Sequence, residues 1–271
     1  MAFTLSGVMC EAQSVGENTR RPKALVTGAS SGIGEAFAMW YAGRGYDLVI
    51  AARNHAELER VATATRVQGV ATEVVVADLA TPKGIEEVAL RCGDVSTIVL
   101  NAGSTHAASI GTTDRDELDS LTYLLATGVV RLCEAVVPGM IERGGGDVVI
   151  VSSIAAFTPM RKAAPYAAAK SHSAAYARSL SLEVGRKNVR VVAVCPGYVR
   201  TDLHRRAGLE HLSTSIPDWM WLSADAVIRA ADRALRRGKV VVVPGLVYRL
   251  ALPFLSSSAA QVMWRRLTRR G

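Results

Sequence analysis

Cysteine is scarce in this sequence, long apolar runs are missing, and no acid follows Arg249. The four cysteines, Cys10, Cys92, Cys133 and Cys195, are scattered, with no CxxC pair and no cluster of metal-ligand spacing. That excludes a disulfide framework or a structural zinc site and points to reduced thiols in a cytoplasmic protein. No apolar run reaches the length of a membrane span, and the N-terminus has neither the basic start nor the cleavage pattern of a signal peptide. His106, His172, His204 and His211 share no metal spacing. His172 also lies six residues past Tyr166, off that residue's helical face, so neither a catalytic histidine nor a metal is expected. The net charge is +8, but Arg249, Arg265, Arg266, Arg269 and Arg270 all fall in the last 23 residues, leaving +3 for the rest. A nucleic-acid-binding domain would carry a basic stripe with its own recognition motif, and none is present.

What is there is an alternation. Of the 271 residues, 49% are hydrophobic, enough for one sizeable core. Residues 1–22 are small and polar without sustained periodicity and read as a loose N-terminal extension. Then "KALVTG", "YDLVIAAR", "TEVVVADL", "STIVLNAG", "GDVVIVSS", "VRVVAVCPG" and "KVVVVPG" read as strands. Helical stretches separate them, the longest running from Asp114 to Glu142. Strands apolar on both faces belong to a parallel sheet covered by helices on each side. The expectation is an α/β fold: a single doubly wound parallel sheet of about seven strands over residues 23–245, with no internal linker.

Two local patterns carry chemistry. Between the first strand and the first helix lies "TGASSGIG", with Gly28, Gly32 and Gly34. Glycine permits a tight turn and close backbone approach to a phosphate, and a helix N-terminus favours negative charge. The second pattern is "PYAAAKSHSAA" at 165–175. Alanine and an early proline favour a helix start, which puts Tyr166 and Lys170 one turn apart on one face. A free phenol, with a pKa near ~10, is a poor base at neutral pH, and a neighbouring positive charge stabilises its anion.

With these patterns in place, the chain resembles the short-chain dehydrogenase/reductase family in its compact form. The resemblance runs from Lys23 to about Gly245 and rests on six motifs in the family's order: TGASSGIG at 27–34, Asp78 after the third strand, NAG at 101–103, VSS at 151–153, YxxxK at 166–170 and PGYVRT at 196–201. It implies a Rossmann-type, NADP-binding catalytic domain that interconverts a ketone and a secondary alcohol. Tyr166 would be the acid/base, Lys170 the partner that lowers its pKa and binds the nicotinamide ribose, and Ser153, thirteen positions before the tyrosine, the group holding the substrate oxygen. Ser152 is the alternative, because adjacent strand residues face opposite ways. The cofactor would lie along Gly28, Ser30, Ser31, Gly32, Ile33 and Gly34. Asp78 with Leu79 would meet the adenine, and Asn101, Ala102 and Gly103 would run beside it. Pro196, Gly197, Val199 and Thr201 would close over the nicotinamide, with Tyr166 and Lys170 also in contact. The second strand ends "IAAR", with no acid for the ribose hydroxyls of NAD, and Arg53 offers a guanidinium to an extra phosphate. NADP(H) is therefore the expected cofactor.

One position departs from the family's pattern. The asparagine that holds a proton-relay water in the long fourth helix is replaced by Leu125 in "LLATGVV". A free backbone carbonyl in that helix, or Thr122 one turn earlier, could substitute; without a substitute, the chain would be a cofactor-binding scaffold with little catalysis. Beyond PGYVRT, the substrate loop 198–222 carries Trp219, Met220 and Trp221, which either point to a hydrophobic substrate or pack the loop on the body. The resemblance adds fatty-acyl or steroid-like carbonyls as candidates and a homodimer or homotetramer as the assembly. The related epimerases are longer, with a larger C-terminal substrate domain that this chain lacks. Residues 246–271 read as a basic C-terminal tail in which Val262, Met263, Trp264 and Leu267 lie near four arginines. Packing on the body or a partner subunit is preferred for it over contact with an anionic membrane.

Overall fold

The computed structural model describes residues 21–105, 108–201, 216–255 and 257. The sheet comprises β1 (Lys23–Thr27), β2 (Asp47–Ala52), β3 (Thr72–Val76), β4 (Thr97–Leu100), β5 (Gly146–Val151), β6 (Val189–Val194) and β7 (Val241–Val242). The strands run in the order β3-β2-β1-β4-β5-β6-β7, and every pair is parallel. Valine, isoleucine and leucine fill them because both faces are covered: Leu25, Ile98 and Ile150 point into one core layer, while Val26, Val99 and Val149 point into the other.

The helices are α1 (Gly32–Ala42), α2 (His55–Arg66), α3 (Pro82–Ala89), α4 (Arg115–Thr122), α5 (Gly128–Glu142), α6 (Ala164–Val184), α7 (Ala224–Arg236) and α8 (Leu246–Leu255). Their starts are written in short polar side chains. Asn54, Thr81, Asp114 and Ser223 each accept hydrogen bonds from first-turn backbone N–H groups. Phe37, Leu58 and Ile228 from α1, α2 and α7 fill one layer, and Val88, Leu132, Met140 and Leu180 from α3, α5 and α6 fill the other. From β1 the chain winds toward β3 on one side, and from β4 toward β7 on the other. The order therefore reverses between β1 and β4, which leaves a crevice at their C-terminal ends.

Three sequence readings change here. The last strand is shorter than "KVVVV" suggests: Val241 and Val242 alone pair with Ala193 and Val194 at the sheet edge. The helical stretch Arg115–Glu142, 28 residues with an 18-residue window of mean hydropathy 1.6, is long and apolar enough to cross a membrane, against the expectation of no such run. Half of its most apolar window is buried, and Leu132, Val136 and Met140 sit in the core, so its apolar side is taken up by packing. Finally, the supposed tail begins with an ordered helix, α8, whose Tyr248 is buried. The readings of Cys10, His106, His204, His211, most of the N-terminal extension and the basic residues from Arg265 onward lie outside the described residues.

Candidate active site

The crevice is floored by the glycine-rich turn. Thr27 ends β1, and its hydroxyl donates to the Val99 carbonyl (3.2 Å) while accepting from the backbone N–H groups of Asn101 (2.9 Å) and Ala102 (3.0 Å). The Asn101 amide donates in turn to the carbonyls of Thr27 (3.1 Å) and Gly28 (3.2 Å). This ties the end of β4 to the turn after β1. Gly34 is required by close approach: a Cβ there would lie 2.2 Å from the Gly28 carbonyl oxygen and 2.6 Å from Asn101 Nδ2. Ser31 precedes α1 without a side-chain cap, which leaves first-turn N–H groups to a ligand. At the end of β2, Arg53 is exposed and pairs with no carboxylate among the described residues.

The other wall comes from β5 and α6. Ser152 and Ser153 face opposite ways, as alternation requires. Ser152 is buried, and its hydroxyl donates to the Lys170 carbonyl (2.8 Å), fastening α6 to the sheet. Ser153 faces the cleft, accepts from the Ala155 N–H (3.2 Å) and acts on the nearby Tyr166 phenol to lower its pKa. Lys170 is buried, donates to the Val151 carbonyl (2.8 Å), and holds its Nζ 5.8 Å from the centre of the Tyr166 ring.

Burial raises the Tyr166 pKa above the usual phenol value, and the group that draws it back is Ser153 rather than Lys170. Burial also lowers Lys170 to about 8, with only Cys195 acting the other way. The phenol is thus held protonated, and the lysine, at about 8, still carries most of its charge at pH 7.

This has a measurable consequence for stability. A lysine that titrates near 8 when folded and near its ordinary value of 10.5 when unfolded carries fewer protons in the folded state between those values. Stability must therefore rise with pH across that window and be flat, at its lower level, below it. The buried thiols Cys92 and Cys133, raised to about 12, act in the opposite sense above pH ~9. The comparison is therefore between wild type and Lys170→Met in urea denaturation from pH 7 to 9. Wild type should gain on the variant as pH rises through 8, and parallel curves would show that Lys170 is not the titrating group.

Leu125 is 1% exposed and forms an apolar cluster with Leu121, Ala126 and Ala169 behind Tyr166. Its Cδ2 lies 3.4 Å from where a Cβ on Gly103 would stand, a point 3.9 Å from Lys170 Nζ. Leucine thus fills the space beside the lysine. Thr122 is exposed and does not face that space, which removes it as a substitute. The backbone there is unusual, however: Tyr123–Thr127 is a π-helical turn in which the Gly128 N–H bonds to the Tyr123 carbonyl. A π turn widens the ladder, and such turns concentrate at functional sites.

The glycine turn, Arg53, Ser153, Tyr166 and Lys170 border one cleft of about 840 Å³. The structure brings together Gly28, Ser30, Ser31, Gly32, Ile33, Arg53, Asp78, Leu79, Asn101, Ala102, Gly103, Ser153, Tyr166, Lys170, Pro196, Gly197, Val199 and Thr201. Gly34 lies beneath the turn rather than on the cleft. Sequence reasoning missed Ser104, Thr105, Leu124, Thr158, Met160, Arg161, Lys162 and Tyr198, which line the same cleft. Most of these sit on loops that carry no motif; Lys162 is marked only by a left-handed backbone (φ 58°), which sequence does not reveal. The argument from Trp219, Met220 and Trp221 changes as well. Trp219 is exposed, Trp221 packs on Tyr198 at 5.6 Å between ring centres, and Met220 packs against the core. None of the three borders the cleft; its apolar lining near Tyr166 comes from Leu124, Ile154, Met160 and Tyr198. His172 is exposed, and no group of metal-ligating side chains occurs among the described residues.

Comparison with known proteins gives the same picture. The family model described as short chain dehydrogenase matches residues 22–211. The human 3-oxoacyl-[acyl-carrier-protein] reductase is 31% identical over 228 residues, spanning 81% of this chain and 95% of that one. A short-chain dehydrogenase from Sphingobium yanoikuyae, solved in complex with NADPH, is 30% identical with a TM-score of 0.77, over 92% of this chain and 94% of that one. The bulky-bulky ketone specific alcohol dehydrogenase from Comamonas testosteroni is 27% identical with a TM-score of 0.75, over 93% and 92% of the two chains.

Proposed function

The chain belongs to the short-chain dehydrogenase family and is an oxidoreductase, and from that premise we propose that it reduces a hydrophobic ketone to a secondary alcohol with NADPH. The observation that carries the proposal is the triad of Ser153, Tyr166 and Lys170 on the wall of a cleft floored by a phosphate-type glycine turn.

The residues present fit a dinucleotide. Backbone N–H groups at the start of α1 would take the pyrophosphate. Asp78 and Leu79 would border the adenine, and Arg53 would take the extra phosphate of NADP(H) in two-pronged fashion. When bound, the cofactor supplies the hydride for the carbonyl carbon. The rest falls to the chain. The Ser153 hydroxyl and the Tyr166 phenol, neighbours on the cleft wall, converge on the carbonyl oxygen, and Tyr166 gives it a proton. Burial, by keeping the phenol protonated, suits the reductive direction. The phenolate left behind lies within reach of the Lys170 charge, which a lysine near pKa 8 still carries at pH 7. Leu124, Ile154, Met160 and Tyr198 favour an apolar substrate, in keeping with the bulky ketones named for the Comamonas enzyme. A screen of ketones for NADPH oxidation, with Tyr166→Phe as control, tests the reading; no substrate among bulky apolar ketones would count against it.

Leu125 favours a second reading, a cofactor-binding scaffold with weak turnover, since its side chain holds no relay water. Leu125→Asn should raise kcat if the relay is what is missing, while burying an amide in an apolar cluster should cost about 2–4 kcal/mol of stability. Both follow from paired steady-state kinetics and urea denaturation. An unchanged kcat with the stability loss present would leave the π turn as the relay's support.

A further inference from the structure

A stretch outside the described residues, 202–215, lies between the segments 196–201 and 216–222. The two segments that flank it are held together at their base. The Leu222 N–H donates to the Tyr198 carbonyl (2.8 Å), the Arg200 N–H donates to the Leu222 carbonyl (3.0 Å), and Val199 and Leu222 form a parallel bridge. The Trp221 indole donates to the Ile216 carbonyl (3.2 Å), and Arg200 pairs with Asp218 at 2.6 Å on the surface. These contacts lie within the loop's own stem. A side chain from elsewhere among the described residues reaches both halves.

That side chain is Tyr248 of α8. Its hydroxyl accepts from the Tyr198 N–H (3.1 Å) on the outgoing segment and donates to the Met220 carbonyl (2.7 Å) on the returning one. Its ring lies flat on Gly197: a Cβ there would be 2.1 Å from the ring's Cζ, so glycine is required for the ring to sit where it does. Tyr248 is 5% exposed, so these bonds are made away from bulk water. Gly197, Tyr198 and Val199, the residues it steadies, are themselves part of the cleft wall.

We infer that Tyr248 is a positioning residue for the substrate: it sets the spacing of the loop's two stems and so fixes the Tyr198 side of the cleft. The inference rests on the reductase reading for its kinetic consequence but not for its structural one. Tyr248 touches neither Tyr166 nor Lys170, so it acts through the wall and not on the proton transfer. A segment read from sequence as a tail thereby becomes part of the specificity apparatus.

Tyr248→Phe is the direct test. It keeps the ring on Gly197 and removes only the hydroxyl, leaving the Tyr198 N–H and the Met220 carbonyl without their partner. Loss of two buried hydrogen bonds at the cleft wall should raise KM for the ketone about tenfold. The affinity for NADPH, read by fluorescence titration, and kcat should each stay within about twofold. A second readout needs no turnover. With Trp40, Trp219 and Trp264 changed to phenylalanine, Trp221 reports on the stem alone. Acrylamide should then quench it about twofold more strongly in the Tyr248→Phe protein, since the returning stem has lost a buried anchor. An unchanged KM together with unchanged quenching overturns the inference. So does a uniform fall in kcat, cofactor affinity and Tm, which marks Tyr248 as a fold-stabilising residue only. If the wild type reduces no ketone, the reductase reading fails, and the quenching comparison still decides the latch.

Discussion

Tyr166→Phe should lower kcat by about 10³-fold, or about 4 kcal/mol of transition-state stabilisation, and leave NADPH affinity within about twofold. The size follows from what is removed. The phenol lies beside Ser153 on the cleft wall and is held protonated by burial, so it is the proton source for a carbonyl placed between them. The ring stays, packed against the Leu121, Leu125 and Ala169 cluster, so the fold should be preserved. Steady-state kinetics against the best ketone from the screen, with cofactor binding measured separately, makes the comparison. A variant that retains a tenth or more of wild-type turnover would remove Tyr166 from the proton transfer and shift attention to Ser153 or to water.

Arg53→Asp should raise KM for NADPH about 100-fold and turn the preference toward NADH. Arg53 stands at the C-terminal end of β2 on the cleft's edge, exposed and with no carboxylate partner among the described residues. A phosphate there would meet two charge-assisted hydrogen bonds, whereas the aspartate would repel it and accept from ribose hydroxyls instead. Because Arg53 is exposed and unpaired, stability should stay within about 0.5 kcal/mol. The outcome is read from kcat/KM for both cofactors in both proteins. An unchanged ratio would mean that the discrimination lies elsewhere, for instance in Ser30 or Asn54 at the same end of the cleft.

Much of the site was legible in the chain because its chemistry is local. Gly28 to Gly34 must form a tight turn whatever surrounds it. Tyr166 and Lys170 must share a helical face because 3.6 residues make a turn. The strands declare a covered parallel sheet because their middles are runs of valine, leucine, isoleucine and alanine on both faces. Gly34 shows the limit even of a motif: its pattern marks it as part of a phosphate loop, yet its place is under the turn, where a side chain would strike the Gly28 carbonyl. Trp219, Met220 and Trp221 left two readings open because apolar character in a loop does not say whether the loop faces a ligand or the body. Packing on Tyr198 and on the core was decided by contacts far apart in the chain.

By itself the sequence determined the order of strands and helices, the glycine turn, the absence of an acid after β2 and the pairing of a phenol with an ammonium group one turn on. Each depends on backbone periodicity or on residue type at short range. The tertiary structure alone decided which of Ser152 and Ser153 faces the cleft, that burial sets the proton affinities of Tyr166 and Lys170, that Leu125 fills the space beside the lysine, and that Tyr248 holds the substrate loop. Those outcomes depend on how deeply a group is buried and on what residues 18 to 50 positions away bring against it. Desolvation and close packing are properties of the assembled core, and no local pattern encodes them.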